Sequence, residues 1–117
     1  MFRVIIAGCR YYADYEALKA YADRMLANIT DEIQIVSGGA SGADALGERY
    51  AHEKGYSLKR FPADWNSYGR SAGVKRNRQM AQYADALIAF WDGASRGTKN
   101  MIDEANAGGL LVRVKRF

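Results

Sequence analysis

The 117-residue sequence contains only one cysteine, one histidine and one proline. Cys9 has no partner for an internal disulfide, which favours a reducing compartment. Cys9 and His52 together cannot complete the usual metal-ligand sets or a Ser-His-Asp triad, so we predict no metal site, no cofactor and no acyl-transfer chemistry. The apolar runs are too short to cross a membrane, and the first residues carry no signal-peptide pattern. We therefore expect a cytoplasmic protein with no membrane partner.

Two common nucleotide fingerprints are also missing. The sequence holds neither the G-x-G-x-x-G of dinucleotide-binding domains nor the G-x-x-x-x-G-K-[ST] of P-loop proteins, so the standard NAD and ATP motifs do not apply. The net charge is +4, and residues 59–78 hold six basic side chains against one acid, Asp64. This bias favours an anionic partner, either phosphate on a small ligand or a nucleic-acid backbone, with a solvated basic surface as the alternative.

Short apolar runs alternate with amphipathic stretches along the chain. The pattern predicts five strands, at 4–7, 33–37, 57–61, 86–91 and 110–114, and four helices, at 14–29, 42–54, 74–84 and 98–105. Asp14 is the expected N-cap of the first helix, and Gly55 is the expected C-terminal stop of the second. Such alternation is typical of a parallel sheet with right-handed crossovers. We predict the α/β class, with residues 1–117 forming a single Rossmann-like three-layer domain of about five mainly parallel strands flanked by about four helices.

Glycines follow three of the predicted strands, at the edge where an open parallel sheet binds ligands. The most specific segment is residues 37–44. Its glycines let the backbone approach a ligand, and the helix start behind them offers N–H groups and a positive dipole end to a phosphate. Ser41 and Asp44 have the spacing of a capping box, and a plain capped turn is the alternative. The ligand-binding candidates here are Ser37, Gly38, Gly39, Ser41, Gly42, Ala43 and Asp44.

Residues 91–98 repeat this arrangement of strand, glycine turn and helix start. The candidates in this second segment are Trp91, Asp92, Gly93, Ser95, Arg96, Gly97 and Thr98. Further candidates are Gly8 and Arg10 after the first strand, whereas Cys9 is expected to pack.

The loop of about twelve residues after the third strand is a candidate binding loop because it is long for a compact α/β unit. Trp65 and Tyr68 suit stacking on a base, and the arginines of this region suit bidentate phosphate contacts. A closed loop with solvated arginines is the alternative. The ligand-binding candidates are Arg70, Asn77 and Arg78, of which Asn77 and Arg78 rank highest, whereas Arg76 is only a further arginine suited to phosphate contacts.

Taken jointly, these segments resemble the SLOG superfamily, named for DprA (Smf) and the Lonely-Guy proteins. Within it they are most similar to the YspA/YpsA-like branch of small bacterial and phage proteins. The resemblance covers essentially the whole chain and rests on residues 8–10, 37–44, 77–80 and 91–98. It implies a Rossmann-like fold, a nucleotide-like ligand held between the first glycine loop and the Gly97-Thr98 helix start, and a homo-oligomer.

One departure from the superfamily bears on catalysis. Lonely-Guy hydrolases carry Pro-Gly-Gly-x-Gly-Thr-x-x-Glu, whose glutamate is catalytic, and this chain has Met101 at that position. Our leading hypothesis is therefore a protein that senses or sequesters a nucleotide or nucleotide-derived ligand. The alternatives are an N-glycosidic hydrolase of nucleoside phosphates, with Asp44 or Asp92 as acid–base group, and a DprA-like binder of single-stranded DNA.

Overall fold

Five strands form one sheet in the computed structural model, which describes all 117 residues. They are β1 (Phe2–Gly8), β2 (Ile33–Ser37), β3 (Ser57–Arg60), β4 (Ala86–Trp91) and β5 (Leu111–Arg116). Their order across the sheet is β3-β2-β1-β4-β5, and every neighbouring pair is parallel. The chain therefore builds outward from β1 to one edge and then from β4 to the other, so the strand order reverses between β1 and β4.

Helices connect the strands. Four of them have twelve residues each: α1 (Tyr15–Leu26), α2 (Ala43–Lys54), α4 (Ala72–Tyr83) and α5 (Arg96–Ala107). Among all the helices, none combines the length and the apolar character that a membrane span requires. The predicted α/β class, with one five-stranded sheet and four main helices in a single domain, is confirmed, and the sheet is wholly rather than mainly parallel.

The segment predicted as a loop after β3 is partly helical. It contains α3 (Trp65–Tyr68) and a 3₁₀ turn (Gly69–Ser71). The helical turn begins here because the Asp64 carboxylate accepts a hydrogen bond from the Ser67 N–H at 3.1 Å. Aspartate is a favoured N-cap residue, so the sequence did carry a signal for this turn.

Capping agrees with the sequence at two helix ends and differs at a third. Asp14 caps α1 by accepting from the Ala17 N–H at 3.0 Å, although α1 ends at Leu26 rather than at residue 29. Gly55 ends α2 in the left-handed conformation. The prediction of a capping box formed by Ser41 and Asp44 is wrong, because the N-cap of α2 is Gly42 and no side chain caps this helix end.

Two apolar cores flank the sheet and fix the helices against it. On one face, α1 and α2 bury Val4, Ile6 and Phe90 along with their neighbours. On the other face, α4 and α5 cover Ile5 and Leu87. Strands buried on both faces read as continuous apolar runs, which is why β1 and β4 were clear in the sequence. The resulting three layers bring every strand-to-helix loop to one edge of the sheet.

Candidate functional site

A cleft opens at the carboxyl edge of the sheet, beside the point where the strand order reverses. Its inner part, of about 290 Å³, lies among the end of β1 and the starts of α2, α4 and α5. Its outer part, of about 540 Å³, lies over residues 38–41 and reaches Pro62 and Ala63. The two parts share four lining residues, so we treat them as one carboxyl-edge cleft. The shared residues are Arg10, Ala40, Trp65 and Arg76.

The structure brings the two glycine-containing segments to this one cleft. Ala40 and Asp44, from the first segment, line the inner part together with residues 95–98 of the second. Gly8 lets the first segment pack closely on the end of β1, because a Cβ there would lie 2.9 Å from the Cβ of Ala43. The predicted site residues that line the cleft are Gly8, Arg10, Gly38, Gly39, Ser41, Asp44, Arg70, Asn77, Ser95, Arg96, Gly97 and Thr98.

Seven predicted site residues do not line the cleft, and two of them, Ser37 and Trp91, hold its loops in place. The buried Ser37 hydroxyl donates to Glu48 at 2.7 Å and accepts from the Gly39 N–H at 3.0 Å. The Trp91 indole N–H donates to the Ser95 carbonyl at 3.1 Å. The predicted residues that do not line the cleft are Ser37, Gly42, Ala43, Arg78, Trp91, Asp92 and Gly93.

Gly42 is the point at which the first glycine loop touches the loop after β1. A Cβ at Gly42, which has a φ of 74°, would lie 2.3 Å from the Cys9 carbonyl oxygen. The same carbonyl accepts from the Ala43 N–H at 3.2 Å. This contact explains why the N-cap of α2 is Gly42 and not Ser41, because the loop after β1 sets the backbone there and no local side-chain cap does.

Arg78 lies away from the cleft, and Arg76 lies in it. The Arg78 guanidinium is 3.4 Å from Glu104 on the outer side of α4 and α5. Arg76 donates from Nη1 to the Gly38 carbonyl at 2.6 Å and from Nε to the Asn77 side-chain oxygen at 2.9 Å. Residues two apart on a helix point about 200° away from each other, so only one of these arginines can face the cleft.

Asn77 joins α4 to the start of α5. Its side-chain N–H₂ donates to Asn100 Oδ1 at 2.9 Å and approaches the Gly97 carbonyl at 3.4 Å. The side-chain oxygen of Asn77 accepts from Arg76, and the Asn77 side chain is buried. Asn77 therefore connects the Arg76–Gly38 contact to the second glycine-containing segment. The two sides of the cleft are thus linked by a continuous chain of hydrogen bonds.

Positive charge dominates the cleft. Four of its lining residues are arginines, and none of the four has a carboxylate within 4.0 Å, because the ion pairs of this protein lie elsewhere. Burial lowers the pKa of Arg76, while nearby Asp44 opposes that shift. Unpaired guanidinium groups gathered in one concave surface create a potential that attracts anions. The four are Arg10, Arg70, Arg76 and Arg96.

Asp44 is the single acid that lines the cleft, and it is 5% exposed. Its Oδ2 accepts from the Ala40 N–H at 3.2 Å. Burial raises the pKa of this carboxyl group, against the opposing effects of the Ala40 amide and of Arg76. Both charged side chains pack against Gly38, where a Cβ would lie 2.6 Å from Arg76 Nη1 and 2.9 Å from Asp44 Oδ2, so a side chain at this position would disturb them.

Asp92 is engaged in the loop after β4 and does not line the cleft. Its Oδ1 accepts from the N–H groups of Ala94 and Ser95, both at 2.8 Å. A hydrogen bond from Tyr11, together with those two amides, holds the pKa of Asp92 far below its usual range. A carboxylate held so firmly ionised is a poor proton acceptor or donor near neutral pH.

The sequence interpretation missed two cleft residues on α5, Asn100 and Met101. Asn100 follows Arg96 by four residues, so helical spacing places both on one side of α5 and could have identified it. Met101, which is 2% exposed, brings an apolar group to the position where the Lonely-Guy motif has its glutamate. The next acids on α5 pair elsewhere, Asp103 with Lys99 and Glu104 with Arg78.

Comparison with known proteins now identifies the family. The model of the YAcAr family, described as the YspA, cpYpsA-related SLOG family, matches residues 2–68, which is more than half of the chain. This protein belongs to that family. The expected resemblance is therefore confirmed, and membership supports a nucleotide-related role at the level of the family.

Two further similarities extend beyond the part matched by the family model. The Gene 61 protein of Mycobacterium phage D29 is 36% identical over 119 residues, which cover 96% of this chain and 94% of that protein. The X-ray structure of TM1055, a structural genomics target, matches with a TM-score of 0.69 over 96% of this chain and 72% of that one. At 20% identity, the second similarity shows a shared fold. Both of these matches include α4 and α5, the helices that complete the carboxyl-edge cleft of this SLOG protein.

Proposed function

We propose that this protein binds a nucleotide or nucleotide-derived phosphate ligand in the carboxyl-edge cleft, as a sensing or sequestering module. The observation that carries the proposal is the set of four arginines without acidic partners, which surround a cleft that contains one acid. Unpaired guanidinium groups bind phosphate through strong, charge-assisted hydrogen bonds.

The start of α5 supplies the backbone part of the phosphate site. The first N–H groups of a helix have no acceptor within the helix. Ser95 Oγ accepts from the Thr98 N–H at 3.5 Å, which leaves the amides of Arg96 and Gly97 at the helix start. Those two amides and the positive end of the helix dipole suit an anion, and the Arg96 side chain adds a full charge beside them.

Trp65 offers a surface for the base. Its side chain is 51% exposed and lines both parts of the cleft. Nucleobases stack on aromatic side chains with a gain of about 1–3 kcal/mol per base. A base over this indole would place the attached phosphate among the arginines.

Calorimetry with the 5′-mono- and diphosphates of adenosine, guanosine, cytidine and uridine tests the proposal. We expect Arg10→Ala and Arg96→Ala each to weaken binding by about ten-fold or more, the usual cost of a lost charge-assisted hydrogen bond. Arg78→Ala is the matched control, because it removes the same charge outside the cleft. No binding by any nucleotide, or an equal loss in Arg78→Ala, would contradict the proposal.

N-glycosidic hydrolysis is a second candidate function, favoured by one observation on Asp44. Its carboxyl group faces the cleft, and burial raises its pKa, which is the direction of shift that a general acid needs. Chromatography of nucleotides incubated with the protein should then show free base, with loss of the reaction in Asp44→Asn. Release of base that persists in that variant would exclude this role for Asp44.

A further inference from the structure

The carboxyl group of Asp44 is the one negative charge in a cleft otherwise lined by positive charge. A phosphate beside it would be repelled, so the anionic part of a ligand belongs nearer the unpaired arginines. The atom of the ligand that faces Asp44 must then be a neutral hydrogen-bond donor. In a phosphate-bearing nucleotide, the donors closest to the phosphate are the hydroxyl groups of the sugar.

We propose that Asp44 selects ribonucleotides over 2′-deoxyribonucleotides by accepting a hydrogen bond from the 2′-hydroxyl group of the ribose. This inference rests on the proposed function and names the sugar that the same cleft prefers. A carboxylate that accepts a hydrogen bond from a ribose hydroxyl group is an established solution in dinucleotide-binding folds.

The hydrogen bonds of Asp44 leave one of its oxygens for a ligand. Oδ2 accepts from the Ala40 N–H, whereas Oδ1 has no donor within the protein. Arg76, the nearest cation in the lining, directs its Nη1 to the Gly38 carbonyl at 2.6 Å and forms no ion pair with Asp44.

Oδ1 is also open to the cleft. Among the side-chain nitrogen and oxygen atoms without a hydrogen-bond partner, only Nε of Arg3 is fully enclosed. Oδ1 of Asp44, which also lacks a partner, is therefore accessible. Because Oδ1 has no donor within the protein and is accessible from the cleft, it can accept a hydrogen bond from a ligand hydroxyl group.

The test compares each ribonucleotide of the calorimetric panel with its 2′-deoxy counterpart. We expect the wild type to bind the ribose form at least about ten-fold more tightly, as one hydrogen bond to a charged group provides. In Asp44→Asn the ratio should fall, and in Asp44→Ala it should approach one. Asp103→Asn, which removes an exposed acid outside the cleft, should leave the ratio unchanged.

A purely electrostatic or structural role for Asp44 makes a different prediction. Removal of its charge would then tighten binding of both sugar forms, and of pyrophosphate, by the same factor. Equal dissociation constants for the two sugars in the wild type, or a ribose preference that survives in Asp44→Ala, would overturn the inference alone. Absence of binding by every nucleotide would overturn the proposed function and this inference together. Circular dichroism of each variant checks that it is folded.

Discussion

The hydroxyl group of Tyr11 donates a hydrogen bond to the carboxylate of Asp92. This bond connects the loop after β1 to the loop after β4, the two strands between which the strand order reverses. The C-terminal Phe117 packs edge-on against Tyr11 and Tyr12, with ring centroids 5.9 and 4.7 Å apart. The side of the cleft that carries Arg10 is therefore held to the start of α5 by side chains outside the cleft.

Tyr11→Phe should weaken nucleotide binding several-fold and lower stability modestly at neutral pH, because Asp92 loses one hydrogen bond. The substitution keeps the aromatic contact with Phe117 but removes the hydrogen bond to Asp92. The distance between Arg10 and the start of α5 is then no longer fixed by that bond. Calorimetry and thermal unfolding give the two quantities. Tyr56→Phe is a suitable control because the Tyr56 hydroxyl forms no side-chain hydrogen bond. Unchanged affinity in Tyr11→Phe would show that the bond does not position the cleft.

Acid should destabilise the wild type more than Asp92→Asn. The pKa of folded Asp92 is lowered, chiefly by the Tyr11 hydrogen bond, so its contribution to stability is complete above about pH 5 and is lost as the pH falls towards the lowered pKa. Asparagine can keep the amide contacts to Ala94 and Ser95 but carries no charge. The difference in Tm between wild type and variant should therefore shrink on acidification. A Tm difference between the two proteins that stays constant with pH would contradict the lowered pKa of Asp92.

Sequence patterns predicted most of the fold because its strands are buried on both faces. The bounds of β2 and β4 agree with the prediction to the residue, since apolar runs between polar turns leave little freedom. The site was predicted less completely. Asn77 was recognised, but Arg78 was ranked above Arg76, and the two flank Asn77 on opposite sides of α4.

Tertiary contacts decide which of these two arginines faces the cleft. Glu104 of α5 holds Arg78, and the Gly38 carbonyl holds Arg76. Neither contact is visible in local sequence. The start of α2 was misplaced by one residue for the same kind of reason, because Gly42 is fixed by Cys9 of another loop.

Two glycines inside helices should respond to alanine in opposite ways. A Cβ on Gly47 of α2 would lie 2.8 Å from both Cβ and Cγ2 of Ile6, and a β-branched neighbour in β1 cannot move aside easily. We expect Gly47→Ala to destabilise the protein by about 1–3 kcal/mol through overpacking. A Cβ on Gly97 of α5 meets nothing within 4 Å, so Gly97→Ala should gain up to about 1 kcal/mol. Urea unfolding of both variants measures the difference, and shifts of the same sign would contradict the packing argument.

Asp44→Asn should make the protein more stable at neutral pH while its preference for ribose falls. Burial is the largest cause of the raised pKa of Asp44. When the pKa of an acid is higher in the folded than in the unfolded protein, the acid does not affect the free energy of unfolding below its unfolded pKa. As the pH rises from the unfolded pKa to the folded pKa, the acid progressively lowers the free energy of unfolding. The neutral amide avoids that cost and can still accept from the Ala40 N–H, so we expect a gain of about 1 kcal/mol at pH 7, typical of relieving one poorly satisfied buried group.

The same measurement has an internal control in acid. At about pH 3, where the carboxyl group is protonated in both folded and unfolded states, the gain of Asp44→Asn should vanish. Urea unfolding at both pH values gives the two free energies. A variant that is less stable than the wild type at pH 7 would mean that the Asp44 charge is satisfied within the protein, and a satisfied carboxylate would have no unmet need for a ligand hydroxyl.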